Sequence, residues 1–344
     1  MRVAVDAMGG DHAPEEIVKG ALIAVAQLPD VSIDLFGTEE AIRPLLAVPD
    51  FPADRITVRP ASQRIEMGES PVEALRRKPD TSIQRCAEAL SRREVDAIVS
   101  AGDTGGVVAA ATLFCRRLRG VKRHGIAVAV PTMKGRSVLC DVGANIHSKP
   151  IHLLQYAIMA SSYAEKVLGV ENPRVGLLSI GEEEGKGNDL VKGSRGLFSR
   201  AGLNFVGNLE GQAIFQGMAD IIVCDGFVGN AILKVAEGLS EALFHLIIAK
   251  SGGIEAASEH RGAMVGIKAV KEMLDYSSTG GAPLLGVEGS IIICHGRSNA
   301  TAVANAIRVA TDFTRSGVND LIVEGVARVG MVARVAEFFH RDHA

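Results

Sequence analysis

GLLSIGEEEGKGN, residues 176 to 188, carries an apolar strand-like run into a glycine-rich loop whose one cation, Lys186, stands between Gly185 and Gly187. Glycine lets a backbone turn and approach closely, so such a loop sets N–H groups and an ammonium beside an oxyanion and reads as a site for phosphate or a similarly charged substrate. The design returns in VAVDAMGGDHAP (3 to 14), AIVSAGDTGG (97 to 106), VLCDVGAN (138 to 145), IIVCDGFVGN (221 to 230) and IIICHGRSN (291 to 299). In each, an apolar run ends in Gly, Asp, Asn, Ser or His. Loops that follow strands are where an open α/β sheet gathers its ligand-binding groups.

Strand-like runs fall near 3 to 6, 33 to 37, 56 to 58, 97 to 100, 126 to 130, 137 to 141, 175 to 180, 205 to 209, 221 to 224 and 291 to 294. Between them EEIVKGALIAVAQL (15 to 28), SIQRCAEALSRR (82 to 93) and NATAVANAIRVATDFT (299 to 314) return apolar residues every three or four positions. That alternation predicts a mostly parallel sheet with helices on both faces, a three-layer α/β/α fold. The runs at 126 to 130 and 137 to 141, joined by PTMKGR, read as a hairpin, so the sheet is mixed. Residues 237 to 274 break the rhythm with two amphipathic patterns around SGGIEAASEHRG (251 to 262). They are expected to form a helical hairpin inserted into one α/β domain spanning 1 to 344. It would serve core or dimer packing, or a surface that meets membrane or a carrier protein.

With 47% hydrophobic and 22% charged residues over 344 positions, the chain is globular and able to bury a large core. Aromatics make up 4%, Trp is absent and the net charge is -3, so neither base stacking nor a global basic field favours nucleic acid. Cys86, Cys115, Cys140, Cys224 and Cys294 lack the close pairs of zinc or redox motifs and read as buried free thiols. No secretory leader is evident, and the longest uncharged stretch, Pro150 to Ala164, falls short of the ~20 residues that span a bilayer. A cytoplasmic location is expected, with any membrane contact peripheral.

The Lys186 loop is no Walker motif: three residues separate Gly181 from Gly185, and Gly187 stands where Ser or Thr would hold magnesium. Neither GxGxxG nor GxSxG occurs, which disfavours a standard dinucleotide fingerprint and a hydrolase elbow. In DGFVGN, Gly226 and Gly229 permit close backbone approach and Asn230 both donates and accepts, although a turn capped by Asn230 explains the residues equally well. His12 follows Gly9, Gly10 and Asp11 at a helix entry whose N–H groups could receive an anion. His12 and His295 could equally serve their own loops. Asp103, Asp141, Asn145 and His147 could ligate a metal, but their irregular spacing argues against it.

Taken in order, MGGDHAP, SAGDTGG, DVGAN, GLLSIGEEEGKGN, NFVGNLEG, DGFVGNAILK, GGAPLLGVEG and CHGRSNA resemble the bacterial phosphate acyltransferase (PlsX) family from residue 3 to at least residue 300. The resemblance implies a fold akin to isocitrate and isopropylmalate dehydrogenases and a homodimer that touches the membrane through its hairpin. It implies transfer of a fatty acyl group from acyl carrier protein to inorganic phosphate, with acyl phosphate passed to a membrane-bound glycerol-3-phosphate acyltransferase, and no cofactor or metal. Lys186 and Asn230 correspond to the family's catalytic lysine and asparagine. Gly9, Gly10, Asp11, His12, Asp103, Thr104, Gly105, Asn145, Asn188, Asp225, Gly229, His295 and Ser298 form the expected substrate- and phosphate-binding set. Asp103 stands where Asn is expected, and Ser278 and Thr279 replace an acidic and an aromatic residue. Phosphate is already an anionic nucleophile, so attack on a thioester needs positioning and oxyanion compensation, with no enzyme acyl intermediate. The rival readings are a metal- and NAD-dependent decarboxylating dehydrogenase and a non-catalytic module that binds the carrier protein.

Overall fold

The protein is described from a computed structural model covering residues 1–48, 52–66, 68–250 and 280–341. Strands β1 (Arg2–Asp6), β2 (Ser32–Gly37), β3 (Ile56–Pro60) and β4 (Ala97–Ser100) run parallel, and β11 (Ser290–Ile293) joins them beside β4. A second parallel block holds β6 (Gly135–Cys140), β9 (Ile221–Val223), β7 (Arg174–Leu178) and β8 (Asn204–Leu209). Between them β10 (Ala282–Leu285) and β5 (Gly125–Thr132) pair antiparallel with each other and with their outer neighbours. The 11-stranded sheet therefore runs β3-β2-β1-β4-β11-β10-β5-β6-β9-β7-β8, and its two parallel blocks point in opposite directions.

Each described strand expected from the sequence is present, and the β5–β6 hairpin consumes most of PTMKGR, pairing Thr132 with Gly135. The sequence reading missed β10. Its four residues lie in GGAPLLGVEG, where the apolar run is short and Pro-interrupted, and only pairing with β5 and β11 makes it a strand. Along the buried strands successive side chains divide between faces. Val3, Val5, Val99 and Ile292 pack under α1 (Glu15–Gln27) and α10 (Ala300–Ser316). In the second block Val138, Val175, Leu177 and Ile221 meet α6 (Pro150–Val167), α7 (Asp189–Arg200) and α11 (Val318–Arg341).

The opposite face is one continuous apolar layer, from Ala4 and Ile98 through Ile293, Leu284 and Ile126 to Leu139 and Ile222. Helices α4 (Ser82–Ser91) and α5 (Thr104–Phe114) cover one end of it, with the short α3 (Pro71–Arg77) at the periphery, while the short α2 (Glu39–Ile42) packs its Ile42 on the face of α1 and α10. The other end meets α8 (Gly211–Gln216) and the start of α9 (Gly226–Lys250). This is the expected three-layer arrangement, and at its centre, where strand direction reverses, the two groups of helices part.

The helical pattern that the sequence begins at Glu237 starts earlier. Helix α9 is unbroken from Gly226, because DGFVGN forms its first turn instead of a separate loop. The turn at 251 to 262, the second arm of the expected hairpin, and Ser278 and Thr279 lie outside the described residues. No described helix is long and apolar enough to cross a membrane. All five cysteines are free, and four are buried, as expected.

His124, 4% exposed, enters β5 beside Arg117 and Arg123. Burial, assisted by the two guanidiniums, lowers its imidazole to about 4. The unfolded chain, with a histidine near its ordinary value, takes up the proton first as pH falls. The neutral-His124 contribution is therefore intact above about pH 6.5 and is lost as pH drops toward 4, by roughly 3 kcal/mol. Denaturant unfolding at pH 7 and 4.5 should show wild type losing that much more stability than His124→Gln; equal losses would assign the acid sensitivity elsewhere.

Candidate active site

Where the helices part, a cleft of about 500 Å³ opens over the sheet. Ile126, Val128, Ala282 and Ile293 give it an apolar floor, and Gly9, Gly10, Asp11, Asp103, Thr104, Asn230 and His295 line its walls. Seven of the expected site residues thus share one cavity, although they come from loops after β1, β4 and β11 and from the first turn of α9.

A buried carboxylate ties the first two loops together. Asp6, 3% exposed, accepts from the Ser100 hydroxyl at 2.7 Å, and Ser100 Oγ in turn accepts from the Gly102 N–H at 3.1 Å. Burial raises the Asp6 carboxyl, against the pull of these hydrogen bonds. A Cβ on Gly9 would lie 2.5 Å from Asp6 Oδ2 and 2.7 Å from Gly102 N, so the glycine is required by close approach. The third loop joins through the Asp11 N–H, which donates to Gly296 O at 2.8 Å.

That network takes up several of the N–H groups around His12 that the sequence offered to an anion. The N–H groups of Gly9, Asp11 and Ala13 already donate to Asp6, Gly296 and Gly10 carbonyls. The first turn of α1 carries Glu15 and Glu16, and Glu16 Oε2 accepts from Ala300 N at 2.8 Å, so a carboxylate of the protein already serves the start of α10. That hydrogen bond holds the Glu16 carboxyl below its usual value. His12 is exposed beside the cleft and does not line it.

Asp103 is explained by helix geometry. It is the N-cap of α5, its Oδ1 accepting from Gly106 N at 2.8 Å, a task that Asn performs equally well. Thr104 follows on the cleft wall, whereas Gly105 faces a separate groove. His295 Nδ1 accepts from Arg297 N at 3.1 Å, and Ser298, 3% exposed, lies behind that loop outside the cleft.

A second constellation is built on Asp141 at the end of β6. Its fully buried carboxylate accepts from four backbone N–H groups, those of Ile126, Gly143, Ala144 and Asn145, at 2.8 to 3.2 Å. Burial pushes this carboxyl up, and the N–H donors pull the other way. Asn145 donates from Nδ2 to His124 O at 2.6 Å and accepts at its carbonyl from Gly226 N at 3.0 Å, so its amide holds the fold together instead of facing the cleft. Asp225 Oδ1 accepts from Phe227 and Val228 N–H at 3.0 and 3.1 Å, starting α9. A Cβ on Gly229 would fall 1.9 Å from Asp141 O, so only glycine allows the helix to lie there. The next residue, Asn230, is thereby set between the two constellations: it lines the cleft and stands against Gly143, whose added Cβ would be 3.7 Å from Asn230 Oδ1. The metal reading loses three of its four ligands to these tasks, since Asp103, Asp141 and Asn145 are committed to protein N–H or C=O groups and only the exposed His147 is not.

Lys186 stands on the loop after β7, the strand beside β9, and is exposed; it does not line the cleft. The loop is held from below by Asn208, 3% exposed, whose Nδ2 donates to Glu183 O at 3.0 Å. Asn188 caps α7, accepting from Val191 N at 3.0 Å. The cleft's own cations are Arg64 and Lys234, with Glu66 beside them, and the sequence reading missed all three. Lys234, in the quoted DGFVGNAILK, is one helical turn beyond Asn230, so the i, i+4 spacing was a usable signal.

Because Asp103 acts as a cap, Asp103→Asn should leave thermal stability within a few tenths of a kcal/mol while Asp103→Ala loses about 1 kcal/mol. Equal destabilisation by both, measured by denaturant unfolding, would mean that the carboxylate charge itself is needed.

A family model described as "Fatty acid synthesis protein" matches residues 1–321. The phosphate acyltransferase of Desulfitobacterium hafniense (strain DSM 10664 / DCB-2) is 50% identical over 322 residues, covering 92% of this chain and 95% of that protein. Among solved structures, a phosphotransacetylase from Streptococcus pyogenes superposes with a TM-score of 0.61 at 16% identity, over 92% of this chain and 94% of its own. A 4-hydroxythreonine-4-phosphate dehydrogenase from Klebsiella pneumoniae gives 0.50 at 13% identity, over 91% and 98%, which extends the likeness in fold to the dehydrogenases. Matched in sequence along nearly its whole length, the chain belongs to the phosphate acyltransferase family.

Proposed function

We propose that this chain transfers a fatty acyl group from acyl carrier protein to inorganic phosphate, releasing acyl phosphate for phospholipid synthesis. The observation that carries the reading is the cleft itself, in which an apolar floor suited to an acyl thioester meets polar glycine loops, Asn230 and two cations. A phosphate oxygen attacks the thioester carbonyl, the C–S bond breaks, and the carrier thiolate leaves and is protonated by solvent. Arg64 and Lys234 offset the charge of phosphate, and Asn230 donates to phosphate or to the developing oxyanion. Lys186, on an exposed loop at the same sheet edge as Asn230's helix, supplies further compensation when that loop meets substrate. No redox cofactor or nucleotide enters the balance.

The finer reading is a homodimer in the cytoplasm that rests against the membrane and hands its product to a membrane-bound glycerol-3-phosphate acyltransferase. Supporting it, Val235, Leu239, Leu243 and Leu246 follow one another along one side of α9 and are 48–68% exposed. Each such side chain, if fully buried in lipid, contributes about 1.5–3 kcal/mol, enough in sum for reversible attachment.

Acyl phosphate formation from acyl carrier protein and phosphate, without added metal or NAD, is the direct assay. Lys186→Ala and Asn230→Ala should each lower turnover by roughly 10²–10³-fold in folded protein; wild-type rates in either would remove that residue from the chemistry. Leu239→Asp with Leu243→Asp should abolish co-sedimentation with anionic vesicles and spare activity in solution. Retained binding with a dissociated dimer would make this face an oligomer contact.

A further inference from the structure

Outside the cleft, the segment between α5 and β5 concentrates charge in a way that the net charge of -3 conceals. RRLRGVKR, residues 116 to 123, holds five cations in eight positions. Arg116, Arg117, Arg119, Lys122 and Arg123 are exposed, and none forms an ion pair with a described carboxylate. The display is rigid. Leu118 and Val121 are buried anchors, Leu118 N donates to Gly286 O at 3.0 Å, and Gln155 bridges Lys122 N and Gly120 O at 2.8 and 3.0 Å. Holding five unpaired cations on a fixed loop is electrostatically unfavourable in isolation and becomes favourable against an acidic partner.

The same segment forms the mouth of a second groove of about 310 Å³, lined by Arg117, Arg123 and His124 and by apolar Val72, Val108 and Leu113. His124 Nε2 is buried there without a described hydrogen-bond partner. The groove's lining also includes Gly143, the residue against which Asn230 stands. A basic platform, an apolar groove and the reacting centre therefore follow one another.

Resting on the acyl-transfer reading above, we propose that residues 116–123 are the docking surface for the acidic face of the acyl carrier protein, with the groove receiving the arm that bears the thioester. Charge complementarity selects this partner, because the reaction needs a protein donor to dwell beside the groove long enough for its arm to reach Asn230.

The test uses the full-length protein with Arg116, Arg119 and Lys122 each replaced by Glu, sparing the groove-lining Arg117 and Arg123. Acyl carrier protein and a small acyl thioester lacking the carrier serve as alternative donors. The triple variant should raise the KM for the carrier-bound donor at least tenfold, while kcat, the KM for phosphate and all constants for the small thioester stay within twofold. Raising ionic strength should raise the carrier KM of wild type and leave that of the variant nearly flat. An unchanged carrier KM in an active wild-type background overturns the docking assignment alone. So does loss of binding to anionic vesicles with intact carrier kinetics, which would make the patch lipid-directed, or equal loss with both donors. Absence of acyl phosphate from wild type with either donor would instead overturn the acyl-transfer reading.

Discussion

The Asp141 carboxylate is the interaction on which the site depends. With no water to solvate it, a buried carboxylate requires donors, and the chain supplies four backbone N–H groups from the start of β5 and the turn after β6. That fixes the turn Val142–Asn145, whose carbonyl at Asn145 receives the first N–H of α9. Gly229 then lies on the Asp141 carbonyl with no room for a methyl group. The orientation of Asn230 follows from these contacts and not from any cap of its own, which is why a helix can begin at a loop edge and still aim one side chain with accuracy.

On the other side of the cleft the corresponding element is Asp6. Asp6 holds glycine loops together through Ser100, Gly102 and Gly9, so the walls on this side are made of backbone brought into near contact. Three carboxylates near the cleft are thus occupied: Asp6 by a hydroxyl, Asp103 by the first turn of α5, Glu16 by the start of α10. Asp11 and Glu66 also line the cleft, and its two cations are held against carboxylates, Arg64 against Glu66 at 3.0 Å and Lys234 against Glu237 at 2.9 Å, so an anionic substrate competes with the glutamates for them.

Most of the fold was legible because buried parallel strands are continuous apolar runs and their helices keep a regular period. β10 was not, since Ala282–Leu285 becomes a strand only through two antiparallel partners distant in sequence. The glycine loops were legible as ligand-binding loops, but their division of labour was not. Asn145 and Asp225 look like binding residues in sequence and serve as internal struts, while Arg64 enters the cleft from a stretch with no motif. The basic run at 116 to 123 was visible throughout, and averaging charge over the whole chain hid it. Asp103 stood out as a misplaced acid until the spacing D-x-x-G placed its oxygen on the third N–H of a helix.

Helix α9 runs from the cleft to an exposed apolar surface. Asn230 is in its first turn, and Leu246 is sixteen residues further on, about 24 Å at the helical rise. Along that length Val235, Leu239, Leu243 and Leu246 stay exposed, although burying such side chains elsewhere in the molecule is what holds it together. An acyl phosphate has the same division, a charged head made beside Asn230 and a long apolar tail that water rejects. The exposed aliphatic residues of α9 match that tail in chemistry, as Asn230 and the glycine loops match the head.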